Sequence, residues 1–527
     1  MPACLGQGTE RMDQVVRSYV PGGKFMGSVL VARGGEVLFD RSYGSADLEW
    51  NIPDSPETKF RLGSLTKQFT AACVLLLEER GKLKTSDPVS KLMPDAPAAW
   101  REVTIYNLLT HTSGIPNFTS FPEYRKLEPF PMTPEQIVAT FRDRPLDFPP
   151  GTKMSYSNSG YILLGYLIEK AAGEPYGEFL QKNILTPLGM KDTGLDSNAV
   201  ILARRAEGYV NKGGQMDHAG YINMTIPYSA GAMYSTTHDL LRWEEALYGG
   251  KLLKPESLKK MTTPFLDHYG FGIFVEEKDG RKVYSHGGGI EGFNTYLAYY
   301  PADRLAVVVL SNVNGTAPQE IGVKLAAVAH GEKVVLASER REVVVPAAVL
   351  DSYVGTYELA PNVEVYIRRA GDGLTTQLSG QPSFPLFAES ETRFFLKVVD
   401  AQIDFEKNAA GKVTSLVLHQ NGRDMTAPRK GGATPEHTAV ELSPEALAQY
   451  PGSYAMGQGM TLEVTLGNGQ LAAQLTGQPS FPIYAEAPDK FFYRVVDAQI
   501  TFERNAAGAV TGLVLHQGGQ RIEAKRQ

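Results

Sequence analysis

Apolar residues recur at helical spacing behind Ser64. Phe69, Ala72, Cys73 and Leu76 share a face, Glu78-Glu79-Arg80 supplies charge, and Gly81 follows as a stop. The pattern predicts a helix that begins at or beside Ser64. A second stripe, Tyr161, Leu164, Ile168 and Ala171, predicts a helix that begins just after Tyr156-Ser157-Asn158 and ends at Gly173. Elsewhere the apolar runs are short and bounded by turn residues, which is the mark of strands. Ser28 to Ala32 and Val37 to Phe39 flank Arg33-Gly34-Gly35, a hairpin signal, and Thr295 to Tyr300 and Leu305 to Leu310 flank a Pro-Ala-Asp turn. Between Asp87 and Pro150 proline and turn residues dominate.

Beyond about residue 335 the pattern changes and the chain repeats itself. Gly380 to Pro385 recurs as Gly477 to Pro482, Val398 to Ile403 as Val495 to Ile500, and Leu416 to Gln420 as Leu513 to Gln517. Tyr353, Gly355 and Tyr357 map onto Tyr450, Gly452 and Tyr454 by the same shift. Two copies of this length form a duplicated unit rather than a solenoid. Alternating segments such as Val363 to Ile367 and Leu462 to Leu466 make each copy β-rich, and about eight short strands suit a small barrel. Thr426 to Glu436, with proline, glycines and charges, reads as the linker. The expected domains are 1–335, 345–428 and 443–527.

Composition narrows the functional classes. The 527 residues are 43% hydrophobic and 21% charged, with 53 glycines, as in a globular protein with many turns. No apolar run reaches the length of a membrane span. A net charge of -6 without a basic stripe argues against nucleic acid as a partner. The two cysteines, Cys4 and Cys73, exclude a disulfide framework, and Cys73 falls on the apolar face behind Ser64. The start, Met-Pro-Ala-Cys-Leu-Gly, has no basic segment followed by an apolar one. The expectation is a cytoplasmic protein, or a periplasmic or secreted one whose signal peptide has been removed. The nine histidines show no His-Glu-x-x-His pattern, so neither a metal nor another cofactor is expected.

Three stretches carry candidate chemistry. In the first, Lys67 lies one helical turn beyond Ser64 and returns to the same face. A hydroxyl at a helix start feels the partial positive charge of unpaired N–H groups, which suits a nucleophile that becomes acylated; it equally suits a plain helix cap. The spacing recurs at Ser257 to Lys260, in a polar stretch that reads as surface. In the second, Tyr156 and Asn158 stand at a helix start, while Tyr209 to Asn211 and Tyr221 to Asn223 repeat the spacing without that context. In the third, His286-Gly287-Gly288-Gly289 precedes a strand pair. The glycines permit close approach of a substrate backbone, and a strand N–H there can help hold an oxyanion. His218 and His516 head similar triplets. His111, in Leu108 to Gly114, reads as a structural hydrogen-bonding residue.

Taken in order, Ser64 to Lys67, Tyr156 to Asn158 and His286 to Gly288 resemble the three motifs of the serine β-lactamase and penicillin-binding protein superfamily, closest to its class C β-lactamase-like branch. Leu108 to Gly114, Pro187 to Met190, Gly231 to Ser235 and Tyr269 to Gly272 also read like that branch, and the likeness covers about residues 10 to 330. It implies an α+β fold, an antiparallel sheet flanked by helices with an all-helical lobe, here followed by two β-barrel-like domains. It further implies Ser64 as nucleophile, Lys67 and Tyr156 as the proton-handling pair, and Asn158 as a substrate hydrogen-bonding group. His286, Gly287, Gly288 and Gly289 fall on the substrate-binding strand, with the N–H groups of Ser64 and Gly289 as oxyanion hole. Histidine replaces the usual lysine at 286. That departure, like the duplicated tail, resembles D-aminopeptidases and some esterases of the group. The expected function is a serine hydrolase working through a Ser64 acyl-enzyme on small amides, peptides or esters. The alternative is a slowly acylated penicillin-binding or sensor protein without turnover.

Overall fold

Strands made almost wholly of Val, Leu and Ala need cover on both faces, and the central sheet supplies it. In the computed structural model, residues 2–278, 280–361, 363–420, 423–430, 439–457, 460–467, 469–476, 480–493, 498–517 and 520–527 are described. The chain divides into two compact units, Met1–Val334 and Val335–Gln527.

The first unit is built on strands β1 (Gly27–Arg33), β2 (Glu36–Tyr43), β3 (Phe274–Lys278), β4 (Arg281–Ile290), β5 (Phe293–Tyr300) and β6 (Leu305–Ser311). They form one antiparallel sheet in the order β3-β4-β5-β6-β1-β2. The N-terminal hairpin thus completes a sheet begun some 240 residues later, with Gly27 opposite Ser311 and Arg33 opposite Leu305. Every residue of β6 is buried. Alternation divides the two faces. Leu30, Leu297, Val308 and Leu310 join one core with Leu240, Trp243 and Leu247, and each such side chain contributes about 1.5–3 kcal/mol of burial free energy. The opposite face takes the helix Ala317–Ala329, where Gly322 makes room for Tyr296; a Cβ there would lie 2.3 Å from the ring. The N-terminal segment Pro2–Arg17 is also helical.

Helices α1 (Thr66–Glu79) and α2 (Asn158–Ala172) form the centre of the helical lobe. Both are apolar around most of their circumference, the mark of interior helices. Residues from Thr66 to Leu77 and from Ser159 to Ile168 are buried. The lobe also holds a small sheet of Phe60–Arg61, Met233–Ser235 and Gly194–Leu195. Cys73 is buried and free; the Cys4 side chain lies outside the described residues. Ser257, read as surface, is instead buried in the helix Pro255–Met261, because it falls on that helix's inward face with Met261.

Each tail repeat consists of eight antiparallel strands joined in sequence order. In the first, between Gly355 and Pro428, a bridge from Tyr357 to Arg429 brings the two ends together; in the second, between Gly452 and Arg526, the barrel closes through Tyr454 and Arg526. The duplicated tyrosines do the same work in both. Tyr357 Oη donates to Tyr353 O at 2.7 Å and Tyr454 Oη to Tyr450 O at 2.6 Å. Tyr353 stacks on Phe405 and Tyr450 packs on Phe502. Thr426 to Pro428, read as the start of the linker, belongs instead to the last strand of the first barrel, since Leu416 to Ala427 is a registered pair. Residues 431–438 of the expected linker, and 477–479 and 495–497 of the repeated motifs, lie outside the described residues.

Candidate active site

A single tight 3₁₀ turn, Gly63–Leu65, presents Ser64 and runs directly into α1. Gly63 holds φ = 54°, a conformation that disfavours a side chain, and a Cβ there would lie 2.7 Å from the Gly289 nitrogen. The turn is therefore pressed against β4. Gly288 answers the same constraint from the other side: its Cβ would sit 1.9 Å from Leu62 O, which also accepts from Thr295 Oγ1 at 2.9 Å. This corrects one expectation. Gly288 is small to admit the chain's own Leu62 carbonyl, not a substrate backbone. Gly287 and Gly289 are exposed, and Gly289 lines a pocket of about 210 Å³ together with Ser64 and Asn158.

Lys67 is fully buried. Its Nζ lies 2.9 Å from Ser64 Oγ, 2.8 Å from Asn158 Oδ1 and 2.9 Å from Ala230 O. Burial drives its pKa well below the usual lysine range. A neutral amine has two hydrogens and one lone pair. Given to the two carbonyl oxygens, the hydrogens leave the lone pair directed at the serine hydroxyl. Asn158 is fixed by its own bonds: its N–H donates to Asn117 Oδ1 at 3.0 Å and its Nδ2 to Thr119 Oγ1 at 3.2 Å. It occupies the first turn of α2 rather than the preceding loop.

Tyr156 is held by His111. The His111 carbonyl accepts from Ser155 N–H at 2.9 Å, its Nδ1 accepts from Ser157 N–H at 3.1 Å, and the two rings lie 4.2 Å apart. This is a structural role in the sense expected, exercised on a functional loop. Lys67 Nζ sits over the Tyr156 ring, 4.9 Å from its centroid. The phenol is pushed well above its ordinary pKa by burial, against a smaller lowering from Ser64. Proximity to the lysine alone would favour a tyrosinate; burial works the other way, penalising the charged form of both groups and pushing amine and phenol alike towards neutrality.

His286 is 3% exposed, and its ring packs among Tyr156, Tyr269 and Phe274. Its Nδ1 lies 2.6 Å from Gly287 O and its Nε2 3.0 Å from Tyr269 Oη. These contacts match a proton on Nδ1 and a tyrosine hydroxyl donating to Nε2. Burial lowers its pKa to about 3. The imidazole is thus a neutral brace for Tyr269. The decoys diverge: Tyr209 lies on the middle strand of a separate three-stranded sheet, Tyr221 is exposed, and His218 pairs with Glu49 at the surface. Tyr124, Phe118, Ile222, Glu291 and the Ala230 carbonyl had no signal in the sequence, since folding alone brings them to the pocket.

A serine and a lysine at a helix start and a tyrosine on a neighbouring loop, with an antiparallel sheet and a helical lobe, define a protein of the β-lactamase and penicillin-binding protein superfamily. Residues 8–331 match the family described as Beta-lactamase, and the chain belongs to that family. Residues 339–429 and 436–526 each match a domain of unknown function (DUF3471). Penicillin-binding protein 4* of Bacillus subtilis is 29% identical over 436 residues, 77% of this chain and 95% of that protein. Teichoic acid D-alanine hydrolase of Staphylococcus aureus is 27% identical over 318 residues, 59% and 75% of the two chains. Among solved structures, a D-stereospecific amidohydrolase from Streptomyces sp. matches with a TM-score of 0.51 at 27% identity, covering 58% of this chain and 94% of its own. Relatives of this chain are therefore hydrolases of the superfamily, and their kinship supports a serine hydrolase.

Proposed function

We propose that the protein hydrolyses small esters and amides through an acyl-enzyme on Ser64, with D-amino-acid derivatives as its substrate class. The observation that carries the reading is the bonding of Lys67: buried, pushed by burial towards the neutral amine, and 2.9 Å from Ser64 Oγ. Ser64 Oγ attacks the carbonyl carbon while Lys67 accepts its proton. The tetrahedral oxyanion lies against the N–H groups of Ser64 and Gly289. The bond to the leaving alcohol or amine then breaks, and Tyr156, beside Ser64, relays the proton to it. Water repeats the sequence in reverse, releasing the acid and regenerating Ser64.

The names of two relatives, a teichoic acid D-alanine hydrolase and a D-stereospecific amidohydrolase, support the D-amino-acid class. A buried, neutral His286 that is not among the pocket's lining residues supplies no cation for a β-lactam carboxylate, which places efficient β-lactam hydrolysis lower. The test compares a D-alanine anilide, its L-isomer, p-nitrophenyl butyrate and a chromogenic cephalosporin under one set of conditions. The D-anilide or the butyrate should give the highest kcat/KM. A cephalosporin preferred by about tenfold, or about 1.4 kcal/mol in the transition state, would overturn the ranking. Acylation of Ser64 without turnover of any of the four would identify a penicillin-binding or sensor protein instead.

A further inference from the structure

The two N–H groups assigned to the oxyanion belong to different elements, Ser64 to the turn Gly63–Leu65 and Gly289 to β4, and two consecutive residues of β5 hold both elements. On the turn side, Leu62 is gripped by both its backbone groups: its N–H donates to Met233 O at 2.8 Å, and its carbonyl accepts from Thr295 Oγ1 at 2.9 Å. Leu62 is fully buried and Thr295 is 4% exposed, so water does not compete for that bond. Thr295 stands opposite Gly288 in the register of β4 and β5. Its hydroxyl meets Leu62 because Gly288 has no side chain; a Cβ there would lie 1.9 Å from Leu62 O and 2.3 Å from Thr295 Oγ1. On the strand side, Asn294 Nδ2 donates to Gly288 O at 3.2 Å. The amide is locked in that sense, since its Oδ1 accepts from Gly315 N–H and from Asn314 Nδ2, both at 3.0 Å. Gly288 C=O and Gly289 N–H share one trans peptide plane and point opposite ways. A bond that turns the carbonyl towards β5 therefore turns the Gly289 N–H away from it. Among the described residues β3 pairs with β4 only from Arg281 to Ser285, which leaves that side of Gly289 to the pocket it lines.

We propose that Thr295 and Asn294 are positioning residues that set the separation and aim of the two oxyanion donors. Thr295 fixes how closely the Ser64 turn lies against β4, and Asn294 fixes the plane of the Gly288–Gly289 peptide. The inference deepens the reading of Ser64 as nucleophile and rests on it. Neither residue lines the pocket; both act through backbone groups. The two elements have no slack between them, since a Cβ on Gly63 would lie 2.7 Å from Gly289 N. Without the Thr295 hydroxyl, the buried Leu62 carbonyl loses its donor, and the turn moves to find another. A misplacement of about 1 Å at a reacting centre costs about a hundredfold in rate, as much as losing one donor of such a hole outright.

The experiment compares p-nitrophenyl butyrate with its thionoester, in which sulfur replaces the carbonyl oxygen. Sulfur is larger and accepts hydrogen bonds weakly, so the ratio of the two kcat/KM values, oxygen over sulfur, reads the hole rather than the fold. Release of p-nitrophenol reports acylation of Ser64 whether or not the acyl-enzyme turns over. Thr295→Val keeps the shape and removes the hydroxyl. It should lower kcat/KM for the oxygen ester by about tenfold to a hundredfold and the ratio by about tenfold. Thr295→Ser restores the donor and should recover most of both. Asn294→Asp keeps an acceptor for Gly315 N–H, removes the donor to Gly288 O, and should lower the ratio likewise; it carries the test should Thr295→Val fail to fold by circular dichroism. Fluorophosphonate labelling of Ser64, which places a phosphoryl oxygen in the same hole, should slow in parallel, and its rates decide in the same way if neither ester reacts. A ratio that stays at the wild-type value in both folded variants, whether or not the rate falls, overturns the inference and leaves the Ser64 reading standing. Absence of both p-nitrophenol release and Ser64 labelling in the wild type would overturn the two together.

Discussion

The molecule contains the sequence Ser-x-x-Lys twice, and the two copies differ in everything except spacing. Ser64 and Lys67 open an interior helix; the lysine is fully buried, and its amine is shared among a hydroxyl, an amide oxygen and a backbone carbonyl. In the helix Pro255–Met261 the arrangement is inverted: Ser257 is buried, whereas the Lys260 side chain is 48% exposed and paired with Glu78 at 2.9 Å. Burial pushes one lysine towards the neutral amine, and the other sits at the surface in an ion pair. The chemistry therefore resides in the burial of the lysine and in the carbonyls that receive its hydrogens, and the four-residue motif is only the way of bringing the two side chains to one face.

The largest effect that sharpens this contrast is Ser64→Ala, which should lower kcat/KM for a small ester by at least about three orders of magnitude, against no comparable loss for Ser257→Ala. Lys67→Ala follows, with a loss of about two to four orders, the span of a general base; steady-state kinetics with the folded fraction checked by circular dichroism measures it. Tyr156→Phe should cost about two orders, and retention of most of the rate would remove Tyr156 from the relay. The pH profile comes next. Because burial lowers the Lys67 pKa, kcat/KM should rise with pH through a group titrating below the ordinary lysine value near 10.5, as the ammonium loses its proton. A rate that fell over that range would make the charged lysine the working form. Smallest is Lys260→Ala, which breaks a surface ion pair and should change unfolding free energy by no more than about 1 kcal/mol in urea denaturation.

Much of this was readable in the residues because it depends on local pattern. Helix starts at Ser64 and near Asn158, the strand pairs and the duplication of Tyr353 to Tyr357 as Tyr450 to Tyr454 all follow from periodicity or repetition. The Ala230 carbonyl that receives a hydrogen from Lys67 is remote in the chain, and no spacing predicts it. The same holds for Glu291, which folding alone brings to the pocket. The protonation of Tyr156 is not legible in the same way, because proximity to a lysine suggests an anion, while burial, visible only in the fold, outweighs it. Gly288 was assigned to substrate because the competing carbonyl of Leu62 lies on a distant segment.

The most direct test of the account is to trap the acyl-enzyme and locate it. The protein is mixed with a fluorophosphonate, or with a cephalosporin and acid-quenched, then followed by intact mass and peptide mapping. One adduct per chain on the peptide containing Ser64, absent in Ser64→Ala and unaltered in Ser257→Ala, is the predicted result. An adduct that persists in Ser64→Ala, or that maps to Ser257, would contradict it.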